Sequence, residues 1–210
     1  KRLPKEPLVL TPLESIGTYG GTWRTATFGG GDSEIERSIG YTRLVRWNPE
    51  WTEVIPDIAK SVEVNDNATE YTFTLREGTR WSDGEPFNAD DLVWWNENVL
   101  RNTKITPAAP DWLTAGGETV KVEKLADDKV VFKFAAPNGL FLMNMATVRG
   151  SDILAAAPAH YLKQFHKDFN PDGIDALVKA AGATDWVQLF NNKIGFPGRW
   201  RDLGRPTLDA

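Results

Sequence analysis

The chain has 210 residues, of which 41% are hydrophobic and 25% charged, so it can bury a core of ordinary globular composition. Its net charge of -5 at pH 7 argues against a nucleic-acid partner, because binding phosphates requires a basic surface. The absence of cysteine excludes disulfide bonds, cysteine-ligated zinc and thiol nucleophiles.

No apolar run approaches the length needed to cross a bilayer, so the chain itself is not expected to span a membrane. It opens at Lys1 without a signal peptide, as a mature or trimmed exported chain would. Nine tryptophans and ten phenylalanines stand out in the composition. Core packing explains most such residues, and the alternative is that a few line a ligand groove.

The first candidate site lies near the N-terminus. Residues 22–28 form a β-type stretch that runs into Gly29, Gly30, Gly31 and Asp32. A strand that ends in glycines before a helix is a common ligand-binding corner of α/β folds, and an ordinary turn is the alternative. No Gly-Lys-Ser/Thr follows, so a phosphate-binding loop is disfavoured.

Two segments further along predict a β-hairpin. Residues 41–47 read as a short strand or helix end that stops at Asn48. Residues 61–64 and 70–76 then flank a polar turn, and in the second segment apolar and polar residues alternate. This period of two predicts a half-buried strand.

A helix is predicted after the Asp-Gly turn of residues 81–87. Asn88 can cap it and Asp91, at its third position, can complete a capping box. Leu92, Trp95 and Val99 share one face at helical spacing. Trp94 points away from that face, so we expect it to be the tryptophan of this helix that is least involved in the core.

The remaining elements follow in chain order. Residues 102–119 read as a loop that contains Trp112, and residues 120–134 as a second hairpin with its turn at 127–128. The sequence then predicts a short helix at 140–147, a strand at 153–156, a helix start at Pro158, a helix at 174–181 stopped by Gly182, and a helix at 186–190 capped by Asp185.

The segment from residue 54 to 94 resembles the signature region of family 5 extracellular solute-binding proteins, the peptide-, dipeptide- and nickel-type binding proteins of ABC importers. Residues 41–45 and 120–137 resemble flanking segments of the same family, and the likeness extends over roughly residues 20–165. Val62 departs from the pattern, which usually has an aromatic there. The residue types that match in order are Pro56, Tyr71, Thr72, Phe73, Leu75, Arg76, Trp81, Asp83, Gly84, Phe87, Ala89, Asp90 and Asp91.

The resemblance implies an α/β (α+β) fold: part of a periplasmic-binding-protein type II-like lobe with an inserted smaller antiparallel α+β domain. Residues 1–47 and 146–210 would form part of the first lobe and residues 48–145 the small extra domain. The second lobe would lie outside this chain. Family members are two-lobed and close on their ligand by hinge bending.

The function implied is extracytoplasmic capture of a peptide-like solute in a cleft and its delivery to the permease subunits of an ABC importer, at the periplasm or cell surface, without a cofactor or metal. An oligosaccharide is the alternative solute. The candidate ligand-binding residues are Gly29, Gly30, Gly31, Asp32, Tyr41, Arg43, Trp47 and Trp112, which the sequence places at strand ends or in loops. Arg43 and Tyr41 also have structural interpretations.

A carbohydrate-active enzyme is the alternative of another class, because acids and tryptophans are abundant. The candidate acids have simpler explanations, since Asp83, Asp127 and Asp128 fall in turns and Asp90 and Asp91 in a first helical turn. His160 and His166 lack the spacing of metal ligands on a helix. An assembly domain that uses exposed aromatics is a third class, which no residue pattern favours. The sequence therefore predicts a binding protein and not an enzyme.

Overall fold

The computed structural model describes residues 4–18, 20–22, 24, 43–147, 157–194 and 208–209. Its strands are β1 (Val45–Trp47), β2 (Val54–Pro56), β3 (Ala59–Val64), β4 (Glu70–Leu75), β5 (Arg80–Trp81), β6 (Thr114–Ala115), β7 (Glu118–Thr119), β8 (Lys121–Ala126), β9 (Lys129–Lys133) and β10 (Leu208–Asp209). Its helices are α1 (Ala89–Trp95), α2 (Phe141–Met145), α3 (Ala159–Leu162), α4 (Ile174–Ala181) and α5 (Trp186–Ile194). The predicted strand at 153–156 lies outside the described residues.

A four-stranded antiparallel sheet in the order β3-β4-β9-β8 is the largest sheet of the described chain. Tyr71, Phe73 and Leu75 of β4 are buried while the threonines between them are half-buried, so the predicted hairpin and its alternation are confirmed. The second predicted hairpin forms β8 and β9, and β9 pairs with β4 in the middle of the sheet. The apolar residues on one side of the sheet therefore form a continuous surface for a helix.

Helix α1 covers this sheet and contacts β8 and β9. The predicted capping box is present: the Asn88 side chain accepts from the Asp90 N–H, and the Asp91 side chain accepts from the Asn88 N–H. Leu92, Trp95 and the following Val99 are buried, as their spacing predicts. A π-helical turn, Asn96–Leu100, extends the helix.

The expectation for Trp94 is wrong. Its side chain is only 6% exposed and its ring packs against His166, Phe169 and Phe190. The helical segments from Ala159 to Ile194 pack on the side of α1 that points away from the predicted apolar face. Helix α1 is therefore enclosed from two sides, because two different parts of the chain pack on it.

The end of α4 and the start of α5 agree with the sequence prediction, whereas residues 102–119 differ from it. Gly182 ends α4 in a left-handed conformation with φ of 62°, and the Gln188 N–H donates to Asp185 at the start of α5. Residues 102–119 are not loop throughout, since they contain a 3-10 turn at Asp111–Leu113 and the two-stranded β6–β7 ribbon. Within the described residues no helix combines the length and apolar character that a membrane crossing requires.

Asn96 joins the helix to the edge of the sheet. Its amide group donates to the carbonyl of Val120 (3.0 Å) and accepts from the N–H of Val122 (3.2 Å), and both bonds are buried. The side chain thus makes the hydrogen bonds to the start of β8 that a neighbouring strand would otherwise make. A buried amide with both halves paired fixes the height of α1 over the sheet.

We predict that Asn96→Leu lowers the free energy of unfolding by about 3 kcal/mol, because the Val120 carbonyl and the Val122 N–H are left buried without partners. Urea denaturation followed by tryptophan fluorescence measures the loss. Asn192→Leu on the exposed side of α5 is the matched control and should change stability by less than about 0.5 kcal/mol. Equal losses in the two variants would contradict this account of Asn96.

Candidate functional site

The structure describes three of the eight residues that the sequence selects as ligand-binding candidates. Arg43, Trp47 and Trp112 lie in the described chain. Those outside the described residues are Gly29, Gly30, Gly31, Asp32 and Tyr41.

Trp47 and Trp112 both lie beside helix α2. Trp47 ends β1 and Trp112 lies in the 3-10 turn, and both elements contact α2. The ring of Trp112 stacks on Phe141, the buried first residue of α2, at 5.9 Å and an interplanar angle of 23°. Both indoles are half-buried, and Leu140 and Met143 of the same segment are exposed. We call Trp47, Trp112, Leu140 and Met143 the α2 surface.

The sheet holds the α2 surface in place through Asn138. The Tyr71 hydroxyl donates to the Asn138 carbonyl (2.6 Å), and the Asn138 amide donates to the Trp112 carbonyl (2.9 Å). Gly116 adds a steric requirement, because it has φ of 64° and a Cβ there would lie 3.1 Å from the Ala136 Cβ. These contacts fix the backbone of the 3-10 turn, so the indole of Trp112 is presented by a rigid support.

Arg43 is buried, with 7% of its surface exposed, beside the buried carboxylate of Asp57. Its backbone N–H donates to Asp57 Oδ2 (2.9 Å), and its carbonyl accepts from the Ile58 N–H (2.9 Å). Burial raises the pKa of Asp57, while the Arg43 N–H and the charges of Arg46 and Arg76 act in the opposite direction. In this structure Arg43 therefore joins β1 to the segment before β3.

Asp91 is buried at the junction of three segments. One carboxylate oxygen accepts from Trp81 Nε1–H (3.2 Å) and from the Asn88 N–H (3.3 Å), and the other accepts from the Ala159 N–H (3.2 Å). Burial raises the pKa of Asp91, and the three donors partly oppose that shift. The group thus ties β5, the start of α1 and the start of α3 to one point.

A second link crosses the same junction. His160 Nε2 lies 2.6 Å from Asp83 Oδ2, between α3 and the Asp-Gly turn. Partial burial raises the pKa of Asp83, but the hydrogen bonds from His160 and from backbone N–H groups, together with the charge of His160, outweigh burial and the pKa is lowered. The pair is partly exposed, so its contribution to stability is small.

His166 is fully buried among aromatic rings, a feature that the sequence does not reveal. Trp94, Trp186 and Phe190 lie around the imidazole at centroid distances of 6.4, 5.1 and 5.6 Å. Its Nδ1 accepts from the Asp168 N–H (3.3 Å). Burial lowers the pKa of His166, against the opposing effects of Asp168 and the Asn98 backbone.

The carboxylates that could suggest hydrolytic chemistry take part in ion pairs and in structural hydrogen bonds. Asp90 and Asp127 both pair with Lys124, at 2.8 and 2.7 Å, and Asp83 and Asp91 hold the junction described above. In the part of the chain that the structure describes, no group of three or more histidine, aspartate or glutamate side chains is placed to hold a metal ion. The described residues offer aromatic and apolar surface, which supports binding.

Comparison with known families agrees with a binding role. Residues 53–176 match the family described as "Bacterial extracellular solute-binding proteins, family 5 Middle", which is more than half of the 210 residues. By class, the chain is therefore a member of the bacterial extracellular solute-binding protein families. Within that class it belongs to family 5, as its resemblance predicts. The family consists of binding proteins and not of enzymes, which confirms the prediction made from the sequence.

Individual relatives show the extent of the likeness. The structure of an oligopeptide-binding protein OppA is 41% identical with a TM-score of 0.83, covering 98% of this chain and 31% of its own. The periplasmic alpha-galactoside-binding protein of Rhizobium meliloti is 30% identical over 100% of this chain and 30% of its own length. The dipeptide-binding protein of Escherichia coli is 30% identical over 81% of this chain and 34% of its own length. The chain thus spans about a third of these relatives and shares the mixed α/β structure of OppA.

We predict that Asp91→Ala lowers the free energy of unfolding by about 3 kcal/mol or more, because the N–H groups of Trp81, Asn88 and Ala159 lose their acceptor. Denaturation monitored by circular dichroism gives the value. The neighbouring Asp90→Ala removes only an exposed pair with Lys124 and should cost less than about 1 kcal/mol. A similar cost for both variants would show that the junction does not depend on Asp91.

The lowered pKa of His166 predicts a pH dependence. Below the ordinary value of 6.5 the unfolded chain takes up a proton at His166 that the folded chain refuses, so stability is present above that pH and is lost as the pH falls. His166→Phe keeps a ring among the aromatics and removes the titration. Wild type should therefore lose stability relative to the variant as the pH falls below 6.5, by at most about 1.4 kcal/mol per pH unit. A difference that is constant from pH 8 to pH 5 would contradict the prediction.

Proposed function

We propose that this chain is part of the solute-binding component of an ABC importer, acts outside the cytoplasm, and captures a peptide-like solute in a cleft for delivery to membrane permease subunits. The observation that carries the proposal is the likeness to OppA over 98% of the chain. The match to the Escherichia coli dipeptide-binding protein supports the same solute class. The name of the family and of its periplasmic relatives supports the location.

The α2 surface is the described part of the chain that suits solute contact. Trp47 and Trp112 offer flat apolar faces on fixed backbone, and such faces bury ligand surface with little loss of side-chain freedom. We propose that Gly29, Gly30, Gly31, Asp32 and Tyr41 complete this lining. Arg43 would act from beneath, because its burial against Asp57 fixes the start of β1, which carries Trp47.

We also propose the division of the chain into a small domain at 48–145 and first-lobe segments at 1–47 and 146–210. The contacts of Asp91 with Ala159 and of Trp94 with Phe190 cross this boundary within the described residues. The two parts would therefore move as one body. Closure on solute would then occur against a second lobe, through contacts that form only in the closed state.

An oligosaccharide is the second candidate solute. The relative from Rhizobium meliloti that binds alpha-galactosides aligns with all of this chain at 30% identity. Half-buried tryptophans suit the apolar faces of sugar rings as well as those of peptide side chains. The two solute classes, peptides and oligosaccharides, differ in charge, so the experiment below compares the binding of one with that of the other.

The test is a calorimetric titration of the natural full-length protein with a panel of di- to pentapeptides and a panel of alpha-galactoside oligosaccharides. We expect saturable peptide binding and a rise in Tm with ligand concentration, equivalent to about 2.7 kcal/mol at one hundred times the Kd. Binding of alpha-galactosides alone would establish the second candidate. Turnover of a glycoside without tight binding would overturn the proposal.

Trp112→Leu tests the α2 surface in the same titration and should weaken solute binding about tenfold, because it removes one apolar face from the lining. Trp186→Leu is the matched control: it also alters a half-buried tryptophan, but one that packs on His166 away from α2. Weakening by both variants to the same extent would show that the effect comes from general destabilisation.

A further inference from the structure

The hairpin between β1 and β2 carries a tryptophan in an unusual state. Trp51 is 66% exposed, and its φ of 59° lies in the left-handed region that favours glycine. Among the described residues only Ala68 shares a positive φ without being glycine. Trp51 therefore accepts an unfavourable backbone conformation and an exposed apolar ring at once, which folding alone does not explain.

The turn that bears Trp51 is rigid. The carbonyl oxygen of the buried Asn48 side chain accepts from the N–H groups of Thr52 (2.8 Å) and Glu53 (3.2 Å), while its amide donates to Glu50 (3.0 Å) and to the Thr52 hydroxyl. The Trp51 N–H donates to the Asn48 carbonyl (3.0 Å). A partner that binds here would meet a surface that is already ordered, so little conformational entropy is lost.

The inner face of the Trp51 ring is supported. Trp47 stacks against it at a centroid distance of 6.2 Å and an interplanar angle of 25°. The indole is thus held on one side and open on the other. A fixed aromatic face in contact with solvent is typical of the residues that dominate protein interfaces.

The charged residues of the turn that bears Trp51 are both acidic. Glu50 and Glu53 flank Trp51, all four residues from 50 to 53 are exposed, and residues 48–53 contain no lysine or arginine. Arg46, the nearest basic residue earlier in the chain, acts on the buried carboxylate of Asp57. An exposed aromatic ring on a turn that also carries two carboxylates suits a guanidinium group, which can lie over the ring and pair with a carboxylate.

We propose that the hairpin tip formed by Glu50, Trp51 and Glu53 is a docking site for an arginine-bearing segment of a partner protein. Small solutes bind in concave sites, whereas this surface is the exposed end of a hairpin. Two carboxylates on the same turn also favour a cation over a neutral sugar. The site adjoins the α2 surface, because Trp47 belongs to that surface and supports the Trp51 ring, but Glu50, Trp51 and Glu53 are not part of it.

An end-blocked octapeptide of alternating arginine and serine is the probe. It is titrated at low and high salt into fluorescently labelled full-length protein that is already saturated with the best-binding solute of the two panels above, so that the solute cleft is occupied. We expect binding that weakens with salt, and a loss of about tenfold in Trp51→Gly and about threefold in Glu53→Gln. The same peptide with glutamine in place of arginine should not bind. Equal binding of both peptides, or binding that is unchanged in Trp51→Gly, would overturn the proposal.

Ala68→Gly is the matched control, because it relieves the other positive φ without touching the tip. It should leave binding of the arginine peptide unchanged. Trp51→Gly should keep its Tm within about 3 °C of wild type, since relief of the positive φ offsets the added freedom of the unfolded chain. A larger fall in Tm would assign Trp51 a structural role and overturn the proposal.

Solute titration of Trp51→Gly separates this proposal from the function proposed above. We expect solute binding to stay as in wild type while binding of the arginine peptide is lost. Loss of both would overturn a separate docking site. Retained peptide docking with no solute binding by wild type would count against the proposed function alone.

Discussion

The junction at Asp91 is the constraint on which the arrangement of the described chain depends. A single buried carboxylate accepts hydrogen bonds from N–H groups of β5, of the start of α1 and of the start of α3. Removing a carboxylate from water is unfavourable unless donors replace the water, so all three segments must be in place together. The sheet positions α1, α1 positions Asp91, and Asp91 positions the helices that cover Trp94.

Local patterns were sufficient to predict the sheet strands and the start of α1. Alternation in β4 and β9 and the Asn88–Asp91 capping box depend on residues close in sequence, and each formed as predicted. The burial of Trp94 and His166 could not be read in the same way. Their contacts join residues about seventy positions apart, and no periodicity within α1 indicates that a second layer covers its polar side.

The candidate site was predictable only in part. The sequence selects Trp47 at a strand end and Trp112 in a loop as candidates, and the structure places both beside α2. The position of Trp112 depends on its contact with Asn138, twenty-six positions later, which composition does not reveal. The sequence leaves both a binding and a structural interpretation of Arg43 open, and the contact of its backbone with Asp57, fourteen positions later, is not visible in the sequence.

The pairing of Asn96 with the start of β8 has a consequence for association between molecules. A strand at the border of a sheet offers unpaired N–H and C=O groups to which another chain can add a strand, and such addition leads to aggregation. Here a side-chain amide occupies that position at Val120 and Val122, and the exposed Lys121, Glu123 and Lys124 continue along β8. The same asparagine that orients a helix therefore also protects the border of the sheet against unwanted strand addition.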